Sequence, residues 1–251
     1  MVHFVGAGSG AADLITVRGK ALLEQADVII YAGSLVNPAL LDCAKAGCEI
    51  YNSAKMTLEE VIAAVERAEA AGKTTVRLHT GDPCLYGAIR EQMDELDKRG
   101  VGYDVCPGVS SFCGAAAALH AEYTLPGVSQ SVVITRMAGR TPVPERESIR
   151  SFAAHGATMV IFLSTGMLEA LSAELTAGGY DKDTPAAVVY KATWPDEQVL
   201  RCTVGTLAET AAAHGVRKTA LIVVGRCLEG AYDLSRLYAP DFSTEFREAT
   251  R

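Results

Sequence analysis

The chain has 251 residues, 49% of them apolar and 21% charged, with a formal net charge of −7. That length buries a substantial core without disulfides or metals, and no apolar run approaches the about 20 residues that cross a bilayer. The acidic balance argues against a generic nucleic-acid surface, so an anionic ligand must be met by local bases, and Lys55, Arg136 and Arg140 become the telling cations.

Val2–Val5 reads as a first strand beginning almost at Met1, with no basic, extended leader before it, so the default expectation is a cytoplasmic protein. A helix is expected over about Thr16–Gln25, then a strand at Val28–Tyr31, a helix over about Asn37–Ala46 and a strand at Cys48–Tyr51. Thr57 and Glu60 form a capping box ahead of Val61, Ile62 and Val65, which predicts a helix over Thr57–Ala71 closed by Gly72. Strand Thr75–Leu78, helix Gly87–Lys98, strand Gly102–Val105 and an alanine-rich helix from Ser110 to Leu119 follow. This alternation implies a mainly parallel sheet with crossover helices.

The periodicity stops near Tyr123-Thr124-Leu125-Pro126-Gly127, so domains are expected at 1–122 and 123–251. Strands are expected at Gln130–Thr135, Thr158–Leu163, Ala186–Tyr190, Gln198–Thr203 and Ala220–Val224. Helices at Ile149–Ala154, Met167–Thr176 and Thr206–His214 separate them. Gln198–Thr203 alternates apolar with polar residues, as a half-exposed antiparallel strand does, so the second domain reads as a mixed sheet with helices. The polar tail after Tyr238 is expected to be loosely held. Seven cysteines, at 43, 48, 84, 106, 113, 202 and 227, show no Cys-x-x-Cys pair and no zinc spacing, and read as reduced, mostly buried thiols.

Four segments carry chemistry. Gly6-Ala7-Gly8-Ser9-Gly10 follows the first strand, but the Gly-x-Gly-x-Gly spacing and the lack of an acid at the end of the second strand fit a dinucleotide fingerprint poorly. A plain turn remains an alternative. Thr80-Gly81-Asp82-Pro83 ends an apolar strand in a tight turn, leaving backbone open to a ligand; a simple strand-to-helix turn is its bland counterpart. Pro107-Gly108-Val109-Ser110-Ser111 enters a helix, where the serines serve either as caps or as ligand contacts. In Thr135–Pro142, Arg136 and Arg140 flank a Gly-containing turn and either grip carboxylates bidentately or stand solvated on a surface loop.

In this order, these segments resemble the tetrapyrrole methyltransferases, which use S-adenosylmethionine (SAM) to methylate corrin and siroheme precursors. The resemblance covers essentially the whole chain. Tyr31–Val36, Asn52–Thr57 and Thr135–Pro142 look like the branch that methylates the precorrin-4 ring at C11 in cobalamin synthesis. It implies an α/β two-domain fold with a SAM cleft between the domains. It further implies SAM contacts from Ser9, Thr80, Gly81, Asp82, Leu85, Ser110 and Ser111, with Leu163, Ala192 and Ala220 beside the adenosine. Ser9 departs from the family, which commonly has Pro there. Arg136, Arg140 and Lys55 would hold the carboxylates of an anionic tetrapyrrole, and Asp82 would face the cationic sulfonium or act on the substrate. Asp82 and Asp27 are the acids available for any proton loss. The resemblance also implies a homodimer with no resident metal, any cobalt arriving inside the substrate. Methylation at another ring position, or of RNA or diphthamide, is a rival reading, as are a tetrapyrrole-binding protein without turnover and a structural module.

Overall fold

Phe4 and Val5, neighbours in the chain, pack into different cores, and this alternation organises the first sheet. The structure is a computed structural model that describes residues 1–33 and 35–250; Ser34, within the Tyr31–Val36 motif, lies outside the described residues. The chain divides into two compact units, Met1–Ala115 with Lys191–Glu197, and Ala116–Tyr190 with the residues from Gln198 onward.

In the first unit, β1 (Val2–Gly6), β2 (Val28–Tyr31), β3 (Glu49–Asn52), β4 (Thr75–His79) and β5 (Tyr103–Cys106) form a parallel sheet in the order β3-β2-β4-β1-β5. Helix α1 (Val17–Gln25), through Leu23, covers the face of Val5, Ile29, Val76 and Leu78. Helices α2 (Leu58–Ala70) and α3 (Ile89–Lys98) cover Val2, Phe4, Val28 and Ile30 on the other. Burial on both faces explains the unbroken apolar run of β2. The chain leaves β1 and β4, which are neighbours, toward opposite faces, so the switch point of the sheet lies between them.

The capping box is formed: Thr57 Oγ1 accepts from the Glu60 amide at 3.3 Å, and Glu60 accepts from the Thr57 amide at 2.8 Å. Replacing Thr57 with Ala is expected to cost about 1 kcal/mol in urea denaturation. The helix expected over Asn37–Ala46 is instead a 3₁₀ turn, Pro38–Cys43, capped by Asn37. Ala44 is already extended, which leaves too few residues to propagate an α-helix.

α4 (Ser111–Leu119) runs across the boundary of the two units. In the second unit, β6 (Val132–Arg136), β7 (Thr158–Phe162), β8 (Pro185–Tyr190), β9 (Gln198–Thr203) and β10 (Ala220–Val224) are ordered β6-β7-β10-β8-β9. β6 and β7 pair in parallel and the remaining pairs are antiparallel, as the mixed reading expects. Helices α5 (Ile149–Ala153), α6 (Leu168–Ala177) and α7 (Leu207–Ala213) bury Leu171, Leu175 and Leu207 against Met159, Ile161, Val188 and Ile222.

All seven cysteines are free, but only Cys106 and Cys227 are buried, which corrects the mostly buried expectation; Cys84 and Cys113 are exposed. Cys84 lies in the turn that follows β4, and Cys113 is an exposed position of α4, whose buried side chains are those of Ala115 and Leu119. A hydrogen bond to Asp82, with burial and its charge behind it, keeps the Cys84 thiol protonated above its ordinary range. Ellman's reagent is expected to label Cys84 and Cys113 first in the native protein, and Asp82→Asn to speed the Cys84 reaction.

Candidate functional site

The first unit presents its site at the carboxyl edge of the sheet. Gly8 and Gly81, both at positive φ, exchange backbone hydrogen bonds of 3.2 and 2.9 Å across the switch point. Gly108 closes from the other side: a Cβ there would lie 2.2 Å from the Gly81 carbonyl oxygen and 2.7 Å from the Gly6 Cα. Three loops thus meet backbone to backbone. Asp82 latches them, its Oδ1 accepting from the Cys84 amide and its Oδ2 from the Gly108 amide, each at 2.8 Å. Partial burial raises the pKa of this carboxyl, but the hydrogen bonds from Cys84 and Gly108 outweigh it and hold the group below its ordinary value. Asp82 is therefore an ionised acceptor whose oxygens are both engaged.

A Cβ on Gly81 would meet Ser110 Cα and the Ser111 nitrogen no closer than 3.5 Å, so the two serines border the turn. Thr80 and Leu85 are half-buried beside it. Ser9 is buried and shares a 3.0 Å hydrogen bond with Thr193, whose Oγ1 also accepts from the Ala11 amide at 3.0 Å. The segment Lys191–Glu197 is a strap over the Gly-rich loop: Trp194 and the Ala192 carbonyl occupy the space where a side chain on Gly10 would go. Asn37 holds the same loop by donating to the Gly10 carbonyl at 2.9 Å. Lys55 ends a 3₁₀ turn after β3, exposed at the same edge.

Asp27 is not at this edge, which corrects its reading as an available acid. It precedes β2 at the amino edge, where Oδ2 accepts from the Thr74 amide at 2.8 Å and Oδ1 pairs with Lys45 at 2.7 Å.

In the second unit, register places the ends of β6, β7 and β8 and the start of β10 on one edge, with Arg136 opposite Phe162 and Ala220 opposite Tyr190. Leu163, just past β7, has φ of 52° and is 65% exposed, an apolar side chain in a strained backbone. Ala220 is buried, and its amide and carbonyl are both bonded to the Thr165 hydroxyl at 3.3 and 3.0 Å. Arg136 does not stand free. Nη1 donates to the carbonyls of Met137 and Thr141 at 3.1 and 3.2 Å, and Nη2 to that of Pro142 at 2.8 Å. Arg140, at the exposed tip of the same loop, makes no ion pair among the described residues.

Sequence reading missed Thr193 and Trp194, and also Arg77 and His79, which lie buried in β4. Arg77 donates to Gln92 Oε1 and the Ile30 carbonyl, both at 2.9 Å, and burial lowers its pKa to about 10. Burial, then the Arg77 charge, lowers His79 to about 3, so its ring is neutral. A charged residue at an inward position of an apolar strand was the signal available for Arg77.

The structure so far is that of a two-unit α/β protein with a glycine-walled loop edge in one unit and an arginine-bearing loop edge in the other. The model of the tetrapyrrole (corrin/porphyrin) methylases matches residues 1–208, and the chain belongs to that family. A cobalt-precorrin-4 C(11)-methyltransferase of Methanocaldococcus jannaschii is 52% identical over 99% of this chain and 96% of its own length. The X-ray structure of a cobalamin biosynthetic enzyme, cobalt precorrin-4 methyltransferase (CbiF), is similar at 46% identity and a TM-score of 0.89, covering 91% of this chain and 96% of that one. A uroporphyrin-III C-methyltransferase of Thermus thermophilus, complexed with S-adenyl homocysteine, is similar at 27% identity and a TM-score of 0.74, covering 90% and 92%.

Proposed function

We propose that the protein methylates C11 of a precorrin-4 ring, cobalt-containing or metal-free, with SAM as methyl donor, within cobalamin synthesis. The observation that carries this reading is the 52% identity, over nearly the whole of both chains, to a cobalt-precorrin-4 C(11)-methyltransferase.

The residues of the first unit fit such a donor. The turn at Gly81 is walled by backbone and small side chains and carries an ionised carboxylate, with no cation of its own among Gly6–Gly10 or Thr80–Pro83. That chemistry suits a cationic sulfonium better than a pyrophosphate. SAM supplies an electrophilic methyl group, and the reaction needs no covalent enzyme intermediate. Thr80, Gly81, Leu85, Ser110, Ser111 and Ala192 are the contacts we assign to it in the first unit, and Leu163 and Ala220 those in the second. Asp82 acts by holding these loops in place, and Ser9 by fastening the strap. The enzyme's contribution is orientation, which supplies about 7–11 kcal/mol where a nucleophilic carbon is held at near-attack distance. Arg140 and Lys55 hold ring carboxylates and so select the carbon that is presented.

The reading includes action in the cytoplasm and, on the strength of the family resemblance, a homodimer, whose assembly light scattering during gel filtration checks. The decisive test incubates the purified protein with SAM and enzymatically generated precorrin-4, in parallel with its cobalt form. Gain of one methyl group, placed at C11 by isotope-labelled NMR, is the expected result. Methylation elsewhere, or none with either ring despite SAM binding, overturns it.

A further inference from the structure

Arg136 and Arg140 share one loop but face different tasks. The Arg136 guanidinium draws three carbonyls of the loop, those of Met137, Thr141 and Pro142, toward itself. In a planar trans peptide the N–H points opposite to its carbonyl. The amides of Ala138 and Val143, which share peptide planes with the Met137 and Pro142 carbonyls, are therefore turned away from Arg136. Neither has a hydrogen-bond partner among the described residues. The third plane ends in Pro142, which carries no N–H.

The loop has a second tether. Ser164 is fully buried; its Oγ accepts from the Met137 amide at 2.9 Å and donates to the Phe162 carbonyl at 2.6 Å. Met137 also packs against the core of the second unit, and with Ala138 and Val143 it lines a mainly apolar cavity of about 360 Å³ that Ser148, Ile149, Ala170, Ala173 and Glu174 complete. Hydrogen bonds donated by Arg136, the bond accepted by Ser164 and the 3.2 Å bond from the Gly139 amide to the Thr141 carbonyl hold this backbone in shape.

We infer that residues 137–143 form a preformed cradle for one carboxylate arm of the substrate, gripped by the Arg140 guanidinium and the Ala138 and Val143 amides. Arg136 is a positioning residue that holds the cradle from behind without touching the ligand. This rests on the proposed reading for the identity of the ligand as a polycarboxylate ring, and it assigns the two arginines distinct roles.

The test uses uroporphyrin, an octacarboxylate ring, as the probe, with binding followed by fluorescence in the absence of SAM. Amide hydrogen exchange of residues 137–143 is followed by mass spectrometry. Arg140→Gln is expected to weaken binding about tenfold, as loss of a charge-assisted hydrogen bond does, and to leave exchange on the rest of the loop unchanged. Arg136→Lys keeps the charge but not the fork, and is expected to speed exchange and weaken binding together. Ser164→Ala changes no charge and is expected to do the same at the other tether. Undiminished binding in Arg140→Gln overturns the cradle. Weaker binding in Arg136→Lys with exchange unchanged overturns the positioning role and makes Arg136 a direct contact. Ser164→Ala answers independently should Arg136→Lys fail to fold. Because the probe is bound without turnover, failure of methyl transfer and failure of the cradle are read separately.

Discussion

Gly108→Ala should leave the first unit unable to fold around its site, whereas Gly81→Ala should give a folded protein only slightly weaker than wild type. The two glycines touch each other, yet their reasons for being glycine differ. At Gly108 a methyl would sit 2.2 Å from the Gly81 carbonyl oxygen and 2.7 Å from the Gly6 Cα, and both obstacles are backbone. Relief would require separating three strand ends that are bonded to one another, at a cost of at least about 3 kcal/mol. At Gly81 the nearest atoms are 3.5 Å away, so only the left-handed backbone, φ of 62°, is penalised, by roughly 1–2 kcal/mol. Urea denaturation of both variants measures the difference. Equal stability of the two would show that the three-loop contact is not what holds this edge.

Asp82→Ala is expected to lose about 3 kcal/mol at pH 7, since it strips charge-assisted bonds from two backbone amides, each worth about 1.5–3 kcal/mol. The pH dependence has a definite sign. The folded carboxyl titrates below the ordinary value of 3.8, so its stabilisation is present above that value and is lost as the pH falls through the lower, folded one. The gap between wild type and variant should therefore be constant near neutrality and close in strong acid. A gap that instead widened in acid would mean that the neutral carboxyl is the form the fold prefers. Asp82→Ala should also weaken SAM binding, measured by calorimetry, because the turn that carries Thr80 and Gly81 loses its latch.

What the sequence disclosed was mainly local. The capping box of Thr57 and Glu60 is complete within four residues and could be read without knowing the fold. Buried parallel strands such as Val28–Tyr31 announce themselves as apolar runs, and the loop after each then falls at the carboxyl edge by topology alone. Asp27 was misjudged although its position was legible, since an acid that precedes a parallel strand sits at the amino edge. The Asn37–Ala46 segment has helical composition, but where it stops is set by chain direction after Cys43, which composition does not record. The occupation of Arg136 by carbonyls and of Asp82 by amides was out of reach. Those partners are backbone groups, identical in every residue, and only the folded chain shows which of them a side chain meets.

The strap over the Gly-rich loop bears on the order in which the protein is made. Thr193 reaches back 184 residues to Ser9, and Trp194 lies against Gly10. A ribosome releases the first sheet early, and Gly81 and Asn37 can already bond to the loop that follows its first strand. The contacts of Ser9, Gly10 and Ala11 with the strap must wait until β8 has been synthesised and the chain has returned through Lys191–Glu197. Closing so long a loop is slow, which makes it a late event of folding. A fragment cut at the sequence boundary near residue 122 would have its strands and helices and still lack its fastening. The half of the molecule that is born first is completed by a segment of the half that is born second.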